Sequence, residues 1–274
     1  MNLPNLTGML NVGELRYIQS LCEATEYRNP DVLVGAFLSM QRRLACLVRG
    51  RFFKSWLRAK PFYHYLLART KYYDEVFLDA VRDSVGCVVN IGCGSDTRAY
   101  RFQHLLRQKG VSVLECDQPQ AIEAKQKIAR RHWPTDHIQY VALDLHDGDW
   151  NDLMRRLEGR RPVLVMMEGV SPYVSQRPFE AFLRALAARL DPRSVVAYDF
   201  KIVDTVEDFG LSVKVQQPFR LPAERKRVAA YHAALGLELR HLELSSELSK
   251  RLLPQAPLLF DRDCLLRLNP LRAS

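Results

Sequence analysis

The 274-residue sequence lacks any apolar run approaching the ~18–20 residues a bilayer-spanning helix needs, so no transmembrane segment is expected. Its opening, Met1-Asn2-Leu3-Pro4-Asn5, has neither a basic nor an apolar leader region, and no secretory signal is expected. Cysteine is sparse and unpatterned. Cys22, Cys46, Cys87, Cys93, Cys116 and Cys264 form no Cys-x-x-Cys pair and adjoin no histidine cluster. That excludes a disulfide framework and a zinc site, predicts reduced and mostly buried thiols, and makes the cytoplasm the expected compartment. Internal repeats, low-complexity tracts and a clear linker are missing too.

What is present suits a soluble globular chain: 47% hydrophobic and 26% charged residues, long enough for a large α/β domain or a domain with a cap. The formal charge of +9 would suit nucleic acid, an acidic membrane surface or an anionic small molecule. The basic residues are spread along the chain, with clusters at Arg42-Arg43, Arg49-Gly50-Arg51 and Arg225-Lys226-Arg227. These do not read as a stacking platform of interleaved aromatics. An anionic small molecule is therefore the expected partner, with neither nucleic acid nor membrane.

Apolar spacing predicts a helical region over 1–85, including segments through Val32–Val48 and from Pro61 to Val81. From Cys87 the rhythm changes to strands alternating with helices. Strands are expected at 87–91, 111–115, 138–143, 162–167 and 194–200, and helices at 97–108, 118–132 and 175–190. A short helix after the third strand is expected to take Asp149 as its N-cap. A helix at 222–235 and strands at Leu237–Leu244 and Leu258–Leu268 would finish the sheet, with an antiparallel edge. The pattern predicts a Rossmann-like, largely parallel sheet with helices on both faces. It sits behind a helical cap (1–85), in a core of 86–274 carrying an insertion over the site at about 202–235.

Asn90-Ile91-Gly92-Cys93-Gly94-Ser95-Asp96 falls where the first strand turns into a helix, and Glu115 and Asp117 end the second strand. Glycines there let backbone approach a ligand, and an acid at the second strand's tip is placed for ribose hydroxyls. A dinucleotide site would want a third glycine where Thr97 stands, and Asp96 would repel a pyrophosphate. An acid in that turn suits instead the cationic, phosphate-free end of S-adenosylmethionine. A tight turn without a ligand is the plainer alternative.

The run Val88-Val89-Asn90-Ile91-Gly92-Cys93-Gly94-Ser95-Asp96-Thr97-Arg98 resembles the first motif of the leucine carboxyl methyltransferase family. That family includes bacterial carboxyl O-methyltransferases of polyketide tailoring, such as the tetracenomycin type. Arg69-Thr70-Lys71-Tyr72-Tyr73-Asp74, Glu115-Cys116-Asp117-Gln118-Pro119, Ala142-Leu143-Asp144-Leu145 and Glu168-Gly169-Val170 with Tyr173 resemble further family elements, in order. The resemblance covers about 60–200. It implies a class I methyltransferase fold and S-adenosylmethionine as cofactor. It also implies that Arg69 pairs with the cofactor carboxylate, Gly92 and Gly94 line its methionine portion, and Asp117 holds the ribose. Asp144 and Leu145 would meet the adenine, and Glu168 the ammonium or the reacting centre. Ser171-Pro172 departs from the family. With Tyr173 it resembles a nucleobase amino-methyltransferase motif, but Glu168-Gly169-Val170 intervenes, and the likeness reads as chance. The chain matches poorly after Lys201.

Methyl transfer from a sulfonium asks mainly for positioning and exclusion of water. A carboxylic acid, with pKa about 4, is anionic at neutral pH, whereas a phenol near 10 needs a base. The expected function is therefore O-methylation of a small natural product's carboxyl group, with Tyr173 and cap arginines such as Arg42 or Arg43 orienting the acceptor. A phenol acceptor would call on His146 or His137. A non-catalytic cofactor-binding interaction protein is the rival of another class. Cys93, between two glycines, reads as a small filler and not as a nucleophile. No metal is expected.

Overall fold

Runs apolar on both faces make strands that are buried on both faces. Cys87-Val88-Val89-Asn90-Ile91 and Val163-Leu164-Val165-Met166-Met167 are buried at every position and form β1 (Cys87–Ile91) and β4 (Val163–Met167). Around them, in the computed structural model, lie β2 (Ser112–Asp117), β3 (Ile138–Ala142), β5 (Val195–Ile202), β6 (Arg220–Leu221), β7 (Leu237–Leu244) and β8 (Asp263–Pro270). The sheet runs β3-β2-β1-β4-β5-β8-β7, with β6 paired to β5. The β1, β2, β3, β4 and β5 pairings are parallel, while β8 is antiparallel to both β5 and β7. This is the Rossmann-like sheet expected from the sequence, and its strand order reverses between β1 and β4.

The structure describes residues 10–159, 162–203, 217–254, 256 and 258–271. The helices are α1 (Val12–Cys22), α2 (Met40–Phe52), α3 (Lys54–Arg58), α4 (Pro61–Arg82), α5 (Arg98–Arg101) and α6 (Gln103–Lys109). They continue with α7 (Pro119–His132), α8 (Asn151–Leu157), α9 (Gln176–Arg189), α10 (Arg225–Ala233) and α11 (Ser245–Leu252). Two compact units emerge: a helical unit of Met1–Glu75, Ser95–Arg101 and Ser245–Asp261, and a sheet unit of Val76–Gly94, Phe102–Leu244 and Arg262–Ser274.

In the sheet unit, α9 carries the expected stripe. Phe179, Phe182, Leu183 and Leu186 are fully buried against Val89, Val165 and Val196 in one cluster that also takes Leu153 and Met154 of α8. Truncating one such phenylalanine costs about 3–5 kcal/mol. The helical unit starts on a capping box, with the Asn11 side chain accepting from Glu14 N–H and Glu14 answering to Asn11 N–H.

Several expectations need correction. The helix predicted over 97–108 breaks at Phe102, whose φ of −102° and ψ of 16° leave the helical basin; its ring lies 5.4 Å from that of Phe77. Trp150, not Asp149, is the N-cap of α8; Asp149 stands one residue earlier and accepts from Asn151 N–H at 3.2 Å. The last strand begins at Asp263, not Leu258, because Phe260 stacks on Tyr65 at 4.8 Å in the helical unit. The first expected helix resolves into a 3₁₀ segment, Val32–Phe37, followed by α2. Of the insertion expected at about 202–235, residues 204–216 lie outside the described residues, and 217–235 carry β6 and α10.

His232 of α10 shows how completely the sheet unit excludes water. Its Nδ1 faces the Val228 carbonyl at 2.6 Å, so that nitrogen donates, and Nε2 accepts from the buried Tyr198 hydroxyl. Burial pushes the imidazole down to about 4. A free histidine titrates near 6.5, so between about 6.5 and 4 the unfolded chain binds a proton that the folded chain refuses. The stabilisation is complete above that window and is lost as pH falls through it. His232→Gln is expected to lower Tm at pH 7 but to flatten the fall in Tm between pH 6.5 and 4. Parallel thermal melts of the two proteins that share one pH slope would refute this.

Candidate functional site

The C-terminal tips of β1, β2, β3 and β4 lie side by side on one edge of the parallel sheet, the edge at which open α/β sheets bind ligands. Gly92 (φ +63°) and Gly94 (φ +38°) carry the chain away from β1 in left-handed conformations. The Gly94 N–H donates to Asp117 Oδ2 at 2.7 Å, and the Gln118 N–H donates to Asp117 Oδ1 at 2.8 Å. The Gln118 amide in turn donates to Asp144 Oδ2 at 2.9 Å. Asp144 Oδ1 accepts from the His146 N–H at 2.9 Å and faces His146 Nδ1 at 3.2 Å. Burial alone would raise the Asp144 pKa, but the His146 and Gln118 hydrogen bonds outweigh it and hold the carboxyl below its ordinary value. Gly94, Asp117, Asp144 and His146 are thus brought together, with Gln118 as a link that sequence reasoning missed.

Beneath the glycine turn, Lys125 of α7 forms a buried ion pair with Glu115 and donates to the Cys93 carbonyl at 3.2 Å. The pair fixes the floor of the turn. Cys93 is 2% exposed, and burial pushes its thiol well above the ordinary range against the pull of Lys125. It is a packed filler. Leu145 is buried directly beyond Asp144.

At the tip of β4, the Gly169 N–H donates to Asp199 Oδ1 at 2.7 Å, and the Ser171 hydroxyl donates to the Asp199 carbonyl at 2.7 Å. Asp199, 1% exposed in the middle of β5, holds the turn that carries Glu168 and Tyr173. An acid inside an otherwise apolar strand was the sequence signal for it. Glu168 is half-buried, and Tyr173 is 42% exposed at the end of a 3₁₀ turn. A Cβ on Gly92 would meet Val170 Cγ2 at 2.5 Å, so the β1 and β4 turns close upon each other only because residue 92 has no side chain. His137 precedes β3, a strand's length from Asp144 at the opposite edge, and is not brought to these groups.

The helical unit holds the other predicted residues. Arg69 is buried, with its guanidinium 5.6 Å from the centre of the Tyr65 ring. Asp96 is also buried: Oδ1 accepts from the Arg98 N–H at 2.8 Å and Oδ2 from the Arg98 guanidinium at 2.6 Å. Arg98 is 1% exposed and also reaches Asp74 at 2.8 Å and the Thr70 carbonyl at 3.0 Å. Arg101 forks onto Asp74 at 2.7 Å on both oxygens, while Asp31 pairs with Arg16 at 3.1 Å and with the Thr97 hydroxyl. Three carboxylates and three guanidiniums thus form one buried network, which the sequence reading missed. Arg42 lies 3.8 Å from Glu14, and Arg43 donates to the Leu38 carbonyl at 3.1 Å.

Residues 23–187 match the model of the leucine carboxyl methyltransferase family. The chain belongs to that family. Among curated proteins, it is 35% identical over 139 residues to a candidate S-adenosyl-L-methionine-dependent methyltransferase of Mycolicibacterium paratuberculosis, covering 49% of this chain and 50% of that protein. A Mycobacterium tuberculosis protein described in the same terms is 30% identical over 207 residues, 70% of this chain and 65% of its own length. The chain therefore spans about half to two-thirds of the curated relatives it matches. Of solved structures, a candidate methyltransferase of Thermobifida fusca superposes with a TM-score of 0.56 over 98% of both chains at 11% identity, a likeness of fold.

Two expectations about this family member follow. Gly92→Ala is expected to lower stability by about 1–2 kcal/mol for the left-handed backbone alone, with the clash against Val170 added. Val170→Ala in the same chain should recover the clash and not the backbone cost. Chemical denaturation of the single and double variants checks this; no recovery in the double variant would refute the contact. Asp74→Ala, which takes the shared carboxylate from two buried guanidiniums, is expected to cost about 3–5 kcal/mol by the same measurement.

Proposed function

We propose that this chain is an S-adenosylmethionine-dependent O-methyltransferase that esterifies a carboxyl group of a small natural product, in the manner of the family's bacterial polyketide-tailoring branch. The observation that carries the proposal is the Gly94–Asp117–Gln118–Asp144 ladder at the sheet's ligand-binding edge. A floor of exposed glycine backbone with two carboxylates beside it fits a sugar diol, an aromatic amine and a cationic centre, and would repel a pyrophosphate. Each carboxylate oxygen of Asp117 receives one N–H and has a lone pair left, so Asp117 accepts from ribose hydroxyls. Asp144 accepts from the adenine amino group, and Leu145 gives that ring an apolar neighbour. Glu168 faces the ammonium or the reacting centre, and Tyr173 orients the acceptor. The role of Arg69 with the cofactor carboxylate rests on the family resemblance; Asp96, read from the chemistry of the turn as facing the cofactor's cationic end, is held by Arg98.

When bound, S-adenosylmethionine supplies an electrophilic methyl group on a sulfonium. The chain then has to hold the acceptor oxygen in line and keep water out. No general base is required of it if the acceptor is already a carboxylate. A phenol acceptor is the second reading, and the His146 ring beside Asp144 is the feature that speaks for it. We place that histidine on the adenine side, away from the reacting oxygen.

Turnover to S-adenosylhomocysteine with a panel of aryl carboxylates and their phenol analogues tests the proposal. With a carboxylate the rate is expected to be flat above about pH 6; a rate that climbs tenfold per pH unit toward 10 would identify a phenol instead. Asp117→Ala is expected to weaken S-adenosylhomocysteine affinity about 10- to 100-fold in calorimetry. Affinity without turnover on any acceptor would leave a non-catalytic binding protein.

A further inference from the structure

Residues 32–73 contain no acidic side chain and nine basic ones, seven of them between Arg42 and Lys60. The sequence reading took the basic clusters one at a time and expected no membrane partner; the helical unit shows what surrounds them. In α2 the buried residues are Ala45, Cys46, Arg49 and Gly50, and Gly50 packs against Cys22 and Ile18 of α1. Met40, Leu44, Leu47 and Arg51, at helical spacing of four, three and four, fall on the opposite side. Met40 is 76% exposed, Leu44 59% and Leu47 40%. The stripe runs on into Phe52, Phe53 and Trp56, at 73%, 49% and 60% exposure, with Lys60 5.0 Å above the Trp56 ring. Exposed apolar residues of this size are ordinary singly, but six within seventeen residues form a patch.

We propose that this face of α2 and α3 docks on the surface of an anionic lipid bilayer. Aliphatic side chains along one helical stripe, a tryptophan and two phenylalanines at its end, and flanking cations are the chemistry of a helix lying in a headgroup layer; Arg42 is paired with Glu14, and Lys54 and Arg58 with Glu23, so Arg43, Arg51 and Lys60 carry the charge of this face. No described helix is long and apolar enough to cross a membrane, so the chain lies on the bilayer and does not span it. Charge complementarity selects this occupant. A second copy in a symmetric contact would set these cations against the same cations. An RNA would use the aromatic rings but gain nothing from Met40, Leu44 and Leu47, which offer no stacking face. The inference is independent of the methyl-transfer proposal.

Co-flotation of the full chain with vesicles of phosphatidylcholine alone, or of phosphatidylcholine with one-third phosphatidylglycerol, tests it. Recovery is expected to be about tenfold higher with the anionic vesicles and to fall as salt shortens the Debye length below about 10 Å. A Leu44→Asn/Leu47→Asn/Trp56→Ser variant, altered only at exposed positions, is expected to lose about tenfold in recovery while keeping the wild-type Tm. Absent flotation, equal recovery on both vesicle types, or undiminished binding by the variant overturns the proposal. So does a dimer that this variant dissolves in light scattering, or RNA binding that it abolishes without any vesicle binding.

Discussion

Two backbone N–H groups converge on the Asp117 carboxylate, one from the turn after β1 and one from its own strand end. The charge-assisted bond from Gly94 ties the tip of β1 to the tip of β2. Through Gln118 the same constraint reaches the residues beyond β3. Everything proposed for the ligand depends on it, because the glycine backbone has no side chain of its own to hold its shape. The Lys125–Glu115 pair braces the turn from below, its two opposite charges removed from solvent together. The turn is thereby held from two sides, by Asp117 at the edge and by the Lys125–Glu115 pair beneath it.

A comparable device orders the helical unit. The Arg-Thr-Lys-Tyr-Tyr-Asp element at 69–74 and the Asp-Thr-Arg element at 96–98 read in the sequence as separate motifs. In three dimensions Asp74 and the Thr70 carbonyl are partners of Arg98, and Asp96 completes its coordination. Asp96, expected from its position to present a free negative charge, is therefore already engaged with a cation. Sequence position alone does not reveal whether an acid in a turn is exposed or neutralised.

The central strands and amphipathic helices were legible because their periodicity is local. Leu237–Leu244 and Cys87–Ile91 were read to the residue, and the α9 stripe nearly so. Errors fell where a distant contact decides. Phe260 is drawn to Tyr65 and shortens the last strand; Phe102 meets Phe77 and breaks a helix. Within the candidate site, Asp117 was singled out by its place at a strand end and Asp144 by the family resemblance, and the structure links the two through Gln118. Gln118, Lys125, Asp199 and Arg98 were not found, since a supporting residue declares itself only by what it touches. The capping box of α1 was visible in Asn11 and Glu14, but it precedes the stretch whose apolar spacing drew notice.

The state of Cys93 bears on how such a pocket could be blocked. A thiol between two glycines at a ligand-binding edge would be an obvious target for an electrophilic warhead. Only the thiolate attacks such groups readily, and here burial keeps the proton on sulfur. At 2% exposure and with its proton held, Cys93 offers an electrophile aimed at this loop little thiolate to attack.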